Sequence, residues 1–163
     1  MSFTIEDWGS DDTIDSRDII QRLEELTEEQ ADLASDISEC QDNLATVLDE
    51  DELADAAEEL ARAENRLNTW EKENQAELNA LQAICKLGEG YGDWSHGDVL
   101  ISEDYFTKYI EELIGDCYEM PKGFDSNAWP WRHMKIDYEA AADEAKSDYV
   151  EIECNGHTYY FRA

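Results

Sequence analysis

Residues 16–53 read SRDIIQRLEELTEEQADLASDISECQDNLATVLDEDEL, and this stretch decides the fold. Ile19, Leu23, Leu26, Leu33, Ile37, Cys40, Leu44 and Val47 follow one another in alternating steps of four and three, with Gln30 filling the one polar position. That rhythm is the seam of a coiled coil. Residues 51–87 carry a second seam of Leu53, Ala56, Leu60, Ala63, Leu67, Trp70, Leu81 and Ile84, interrupted by Asn74 and Glu77. Between the two runs stand Asp49, Glu50, Asp51 and Glu52. Asp49 with Glu52 three residues on has the form of a capping box, and carboxylates there complement the positive end of a new helix. A break at 48–50 therefore predicts an antiparallel helical hairpin over residues 16–87, about 50 Å long at 1.5 Å per residue. Gly88 ends the second helix. Folding about residue 49 leaves Cys40 and Cys85 tens of ångströms apart along the hairpin, too far to bridge within one chain.

Outward from the hairpin the pattern changes. Residues 1–15 hold five carboxylates and no helical stripe, and read as a flexible acidic arm with Trp8 as an anchor. Residues 88–163 read as a small α+β domain. GEGYGDWSHGDVLI, residues 88–101, predicts a loop running into a short extended stretch. Ser102 stands as an N-cap before Glu103 and Asp104. Tyr105, Phe106, Tyr109, Ile110, Leu113 and Ile114 then make one apolar helical face. Residues 120–136 contain Pro121 and Pro130 and should be irregular, and Asp137 should cap a short helix through Lys146. Tyr149 to Cys154 alternates apolar and acidic residues, Asn155-Gly156 follows, and a second run reaches Arg162, the pattern of a β-hairpin. The fold class is thus mainly α, a long antiparallel helical hairpin followed by a small acidic α+β domain ending in a β-hairpin.

Charge bounds the function. The 163 residues include 42 Asp or Glu against 12 Lys or Arg, a net charge of −30. Solubility needs a magnitude of only about 2–8 in a small domain, and self-repulsion of this size destabilises a compact state. With 42% apolar and 10% aromatic residues in periodic runs, disorder of the whole chain is not the explanation. No apolar run approaches the ~18 residues that span a bilayer. The opening MSFTIEDWGSDD has neither the basic nor the apolar region of a signal peptide, and so many carboxylates are repelled by anionic lipid. The expectation is a soluble cytoplasmic protein that meets neither membrane nor nucleic acid directly.

Enzyme chemistry finds little footing. There is no GxxxxGK loop and no HExxH. His133, His157, Cys117 and Cys154 lack the paired spacing of a zinc site, and residues 93–98, DWSHGD, only loosely follow a calcium loop. No pair of carboxylates is singled out for acid–base work. The reading is no enzyme, no metal and no cofactor. In the WPWRHM segment, Trp129 and Trp131 read first as caps on the core of the small domain. The alternative is an exposed anchor at a protein interface.

The carboxylates form a surface. Residues 16–87 hold 20 acidic and 6 basic side chains, a net of −14. Along about 50 Å this is roughly one charge per 3.5 Å, against about 3.4 Å for one DNA strand. Glu24, Glu25, Glu28, Glu29, Asp32, Asp36, Glu39 and Asp42 fall outside the first seam, and Asp55, Glu58, Glu59, Glu71 and Glu73 outside the second. An ordinary coiled coil mixes signs on this face, whereas residues 16–48 contain only Arg17 and Arg22 as cations and no lysine. A rod of one sign can occupy a cleft built for phosphates.

The C-terminal stretch from about residue 100 resembles the C-terminal domain of ArdA antirestriction proteins, DNA mimics carried by phages and conjugative elements. The resemblance lies in LISEDYFTKYIEELIGDCYEMP, IDYEAAADEAKSDYVEIE and the closing GHTYYFRA, some 60 of 163 residues. It implies a non-enzymatic inhibitor that fills the DNA groove of a host restriction complex, with Glu103, Asp104, Glu111, Glu112 and Asp116 as the acidic surface carried over. Upstream the chain departs from the family, with the helical hairpin in place of small α/β domains and WPWRHM as an insertion. Another nucleic-acid machine, a CRISPR effector among them, is then open as the target. The expected partner is a nucleic-acid-binding protein or complex of a bacterial host. The expected contacts are Glu24, Glu25, Glu28, Glu29, Asp32, Asp36, Asp49, Glu50, Asp51, Glu52, Asp55, Glu58 and Glu59 of the hairpin, Glu103, Asp104, Glu111, Glu112 and Asp116, and Trp129 and Trp131. A homodimer is expected because one hairpin buries only one stripe per helix. The rival reading is a coiled-coil assembly or adaptor protein that binds a partner helix.

Overall fold

The computed structural model describes residues 11–163, so residues 1–10 of the expected arm, Trp8 included, lie outside the described residues. Among the described residues the chain forms two compact units, residues 18–90 and residues 11–17 with 91–163.

The first unit is the hairpin. Helix α1 spans Ser16–Thr46 and α2 spans Glu50–Gly88. Asp49 is extended (φ −88°, ψ 135°), and its carboxylate accepts the backbone N–H groups of Asp51 at 3.0 Å and Glu52 at 3.5 Å. This satisfies two of the four orphan donors of the new helix. Cross-helix pairs run in opposite order, Arg22 with Glu77, Glu29 with Trp70 and Asp36 with Arg66, so the helices are antiparallel about the turn. The seam is uneven. Ile19, Leu26, Ala56, Ala63, Leu81 and Ile84 are buried, with Leu78 and Cys85 beside them late in α2. Leu33, Ile37, Leu44, Leu60 and Leu67 are only half-buried, and Leu53 is exposed.

The second unit is a four-stranded antiparallel sheet in the order β1-β2-β4-β3. Its strands are β1 (Thr13–Asp15), β2 (Val99–Ser102), β3 (Tyr149–Cys154) and β4 (His157–Arg162). Residues 13–15, expected in the arm, instead pair with β2, Ile14 facing Leu100. Three residues with one apolar side chain give too little alternation to announce a strand. The predicted β-hairpin forms in full register from Tyr149 opposite Arg162 to Cys154 opposite His157. Asn155 (φ 51°) and Gly156 (φ 77°) supply the two positive φ angles that a tight hairpin turn needs.

Helix α4 (Glu103–Cys117) and α5 (Tyr138–Ala145) share one core with the sheet, built of Ile101, Phe106, Ile110, Ala142 and Tyr160. Asp137 caps α5 through the Ala140 N–H at 3.0 Å. Strand alternation puts Tyr159 and Phe161 on the other face, where Phe161 meets Tyr91 and Trp94 edge-on with centroids 5.1 and 5.4 Å apart. Trp94 begins a single helical turn, α3 (Trp94–Gly97), inside the stretch expected to be loop.

Candidate functional site

The carboxylates of the hairpin are displayed as the heptad requires. Glu24, Glu28, Glu29, Asp32, Asp55, Glu58 and Glu59 are exposed, as are Asp49, Glu50, Asp51 and Glu52 at the turn, while Glu25 and Asp36 are half-buried. The reason is periodicity: with a and d positions turned to the partner helix, the remaining positions face solvent.

Not all of them are equally available. Trp70 donates its indole N–H to Glu29 at 2.9 Å, Arg66 holds Asp36 at 3.0 Å, and Arg62 holds Glu58 at 2.6 Å. Glu25 accepts from Gln21 at 2.9 Å. Glu58 holds the Arg62 guanidinium above its ordinary pKa, its hydrogen bond being the largest cause. Among the described residues Glu24, Glu28, Asp32, Asp55 and Glu59 have no ion pair. The surface therefore consists of free carboxylates interspersed with pinned ones. Sequence reading missed the tie-bars Trp70–Glu29 and Arg66–Asp36, although the fold-back about residue 49 puts 70 close to 29 and was signal enough to find the first.

Glu77 stands apart. Instead of a polar gap in the seam, it is 7% exposed and gripped by Arg22. The Arg22 guanidinium is raised above its ordinary pKa chiefly by its hydrogen bond to Glu77.

In the second unit Glu103, Asp104, Glu111, Glu112 and Asp116 all lie exposed on α4. Glu112 accepts the Tyr105 hydroxyl at 2.7 Å, which raises that phenol's pKa. Trp129 and Trp131 do not cap the core. They are 75% and 38% exposed. The segment around them has two prolines and no period, so nothing in the sequence turns either ring inward. Trp131 packs instead on Phe124, centroids 5.7 Å apart. Among the described residues no three His, Cys, Asp or Glu side chains are grouped to hold a metal ion, and no helix is long and apolar enough to cross a membrane.

No family model, curated protein or solved structure matches this chain.

Proposed function

We propose that this protein is an acidic mimic of a nucleic-acid strand that occupies the DNA groove of a host defence nuclease in the bacterial cytoplasm. The observation that carries the reading is the set of exposed carboxylates Glu24, Glu28, Asp32, Asp55 and Glu59, without an ion pair among the described residues, on two antiparallel helices whose net charge with the turn is −14. A helix pair is stiff, so the backbone that carries these charges needs no ordering at binding. The resemblance of residues 100–163 to ArdA supports the same reading and adds the exposed carboxylates of α4. No substrate chemistry is required, and the protein acts by occupancy.

The test is competition. DNA binding by restriction and CRISPR complexes is measured at about 0.15 M ionic strength, where the Debye length is about 8 Å. Excess protein should displace the DNA, and displacement should weaken steeply as salt rises. DNA binding that is unchanged by excess protein would sink the proposal. The five-fold variant carrying Gln or Asn at Glu24, Glu28, Asp32, Asp55 and Glu59 should lose displacement while keeping its helix content.

A second reading has one observation in its favour. Leu53 is exposed and Leu33, Ile37, Leu44, Leu60 and Leu67 are half-buried, which leaves apolar surface for a further helix. A coiled-coil adaptor, or a homodimer of hairpins, would cover it. Such a contact survives neutralisation of the five carboxylates, so the same variant separates the two readings.

A further inference from the structure

The segment from Glu119 to Ile136 is unlike the rest of the chain. It holds Lys122, Arg132 and Lys135 against Glu119 and Asp125, a net positive stretch in a protein of net charge −30. It also carries exposed apolar side chains on a scale the core does not explain: Met120, Trp129, Trp131, Met134 and Ile136. Met120, Phe124, Trp131, Met134 and Ile136 line a cavity of about 420 Å³, and Lys122 and Lys135 stand at its wall. Methionine and aromatic linings of this kind accept apolar side chains of varied shape, and two cations on the wall favour a ligand whose apolar group is flanked by carboxylates.

The chain presents such a group itself. Leu48, at the turn between α1 and α2, is 99% exposed. Asp49, Glu50, Asp51 and Glu52 follow it directly, all exposed. An isolated exposed leucine is ordinary, but this one is fully presented at a helix turn with four carboxylates beside it. Its chemistry is the complement of the groove, apolar centre to apolar centre and acidic rim to basic rim.

We propose that the groove of residues 120–136 is a self-association site that takes the Leu48 turn of a second copy of this chain. Glu24, Glu28, Asp32, Asp55 and Glu59, which carry the proposed mimicry, lie on the helices outside residues 48–52, so the two contacts use different residues of the hairpin. The proposal stands whether or not the hairpin mimics nucleic acid. Turn and groove are different surfaces, so copies join either as a reciprocal pair or head to tail.

Light scattering and sedimentation of the full chain test this over about 1 μM to 1 mM, the affinity range expected of one small apolar plug. Wild-type mass should rise with concentration. Leu48→Ser, which touches no core residue, and Lys122→Glu with Lys135→Glu should each weaken association by about tenfold or more. Glu50→Lys with Glu52→Lys should restore association with the Lys122→Glu/Lys135→Glu protein. Mixing the Leu48→Ser and groove variants should recover mixed pairs, since each keeps the half that the other lacks. A wild-type chain that stays monomeric across the range overturns the proposal. So does association that Leu48→Ser leaves unchanged, the outcome expected if hairpin seams pair instead.

Discussion

Arg22 holds Glu77 with a two-pronged grip, Nε donating to Oε1 at 3.0 Å and Nη2 to Oε2 at 3.2 Å. The side chains are 15% and 8% exposed, so the pair joins α1 to α2 largely out of water. Removing one partner leaves an unpaired charge that water reaches poorly. Arg22→Met is therefore expected to destabilise the protein by about 3 kcal/mol or more. Arg22→Met with Glu77→Leu should recover most of that loss, because neither charge then stays behind. Urea unfolding of the two singles and the double reads the cycle. A double mutant as unstable as Arg22→Met would show that the pair itself is favourable.

Ser16 and Asp98 are bonded in both directions. The Ser16 N–H donates to the Asp98 carbonyl at 2.9 Å, and the Asp98 N–H donates to Ser16 Oγ at 2.8 Å. The Ser16 hydroxyl in turn donates to the Trp94 carbonyl at 2.6 Å, and Ser16 has no exposed surface. Ser16→Ala strips the partner from the Asp98 N–H and the Trp94 carbonyl, a cost of about 2–3 kcal/mol. Hydrogen exchange at the Asp98 amide should accelerate in this variant more than exchange at the β-hairpin amides of residues 149–162.

Trp129 and Phe106 make a direct comparison of exposed and buried aromatics. Trp129→Ala should change stability by no more than about 0.5 kcal/mol, as for a surface position. Phe106, 1% exposed and touching Tyr109, Tyr149 and Tyr160, should cost about 3–5 kcal/mol when cut to Ala. Thermal melts of the two variants test both.

What the sequence made legible was whatever repeats. Two heptads, one Asp49 cap and one Asn155-Gly156 turn were enough for the helical hairpin and the β-hairpin, because each rests on a local period or a local φ requirement. Strand β1 was not legible, since Ile14 finds its place only against Leu100, far away in sequence. Glu77 read as a gap because a heptad says which side faces inward and not which partner waits there. The same limit applied at residues 120–136. Two prolines erase the period, and whether Trp129 points in or out depends on packing that no spacing encodes. The carboxylates of the candidate surface were visible one by one, but their division into pinned and unpaired groups needed the cross-helix geometry.

Tyr149 and Tyr160 supply a pH signature. Burial, the largest cause in each, pushes both phenols up to about 12 from 10.0. Tyr160 is raised further by Glu103 and Glu151, each 3.4 Å from its hydroxyl. Between pH 10 and 12 the folded chain then binds more protons at these sites than the unfolded chain. Stability must fall as pH rises through that window and is unaffected by these groups below it. Ultraviolet titration should show two of the phenols ionising late, and Tyr160→Phe should flatten part of the fall.

The charge that proposes the function also works against the fold, and salt separates the two effects. With a net charge of −30, like-charge repulsion destabilises the compact state and is screened as ionic strength rises. The melting temperature of the wild type should climb between about 0.01 and 0.15 M salt, over which the Debye length shrinks from about 30 to 8 Å. Amide replacements at Glu24, Glu28, Asp32, Asp55 and Glu59 remove five charges that make no ion pair among the described residues. That variant should melt higher than the wild type at low salt and respond less to added salt. Carboxylates kept for structure would give the opposite order, a variant that melts lower. The predicted combination, a more stable protein that no longer displaces DNA, is the one that a nucleic-acid mimic requires, because only there do the charges cost stability and serve binding at the same positions.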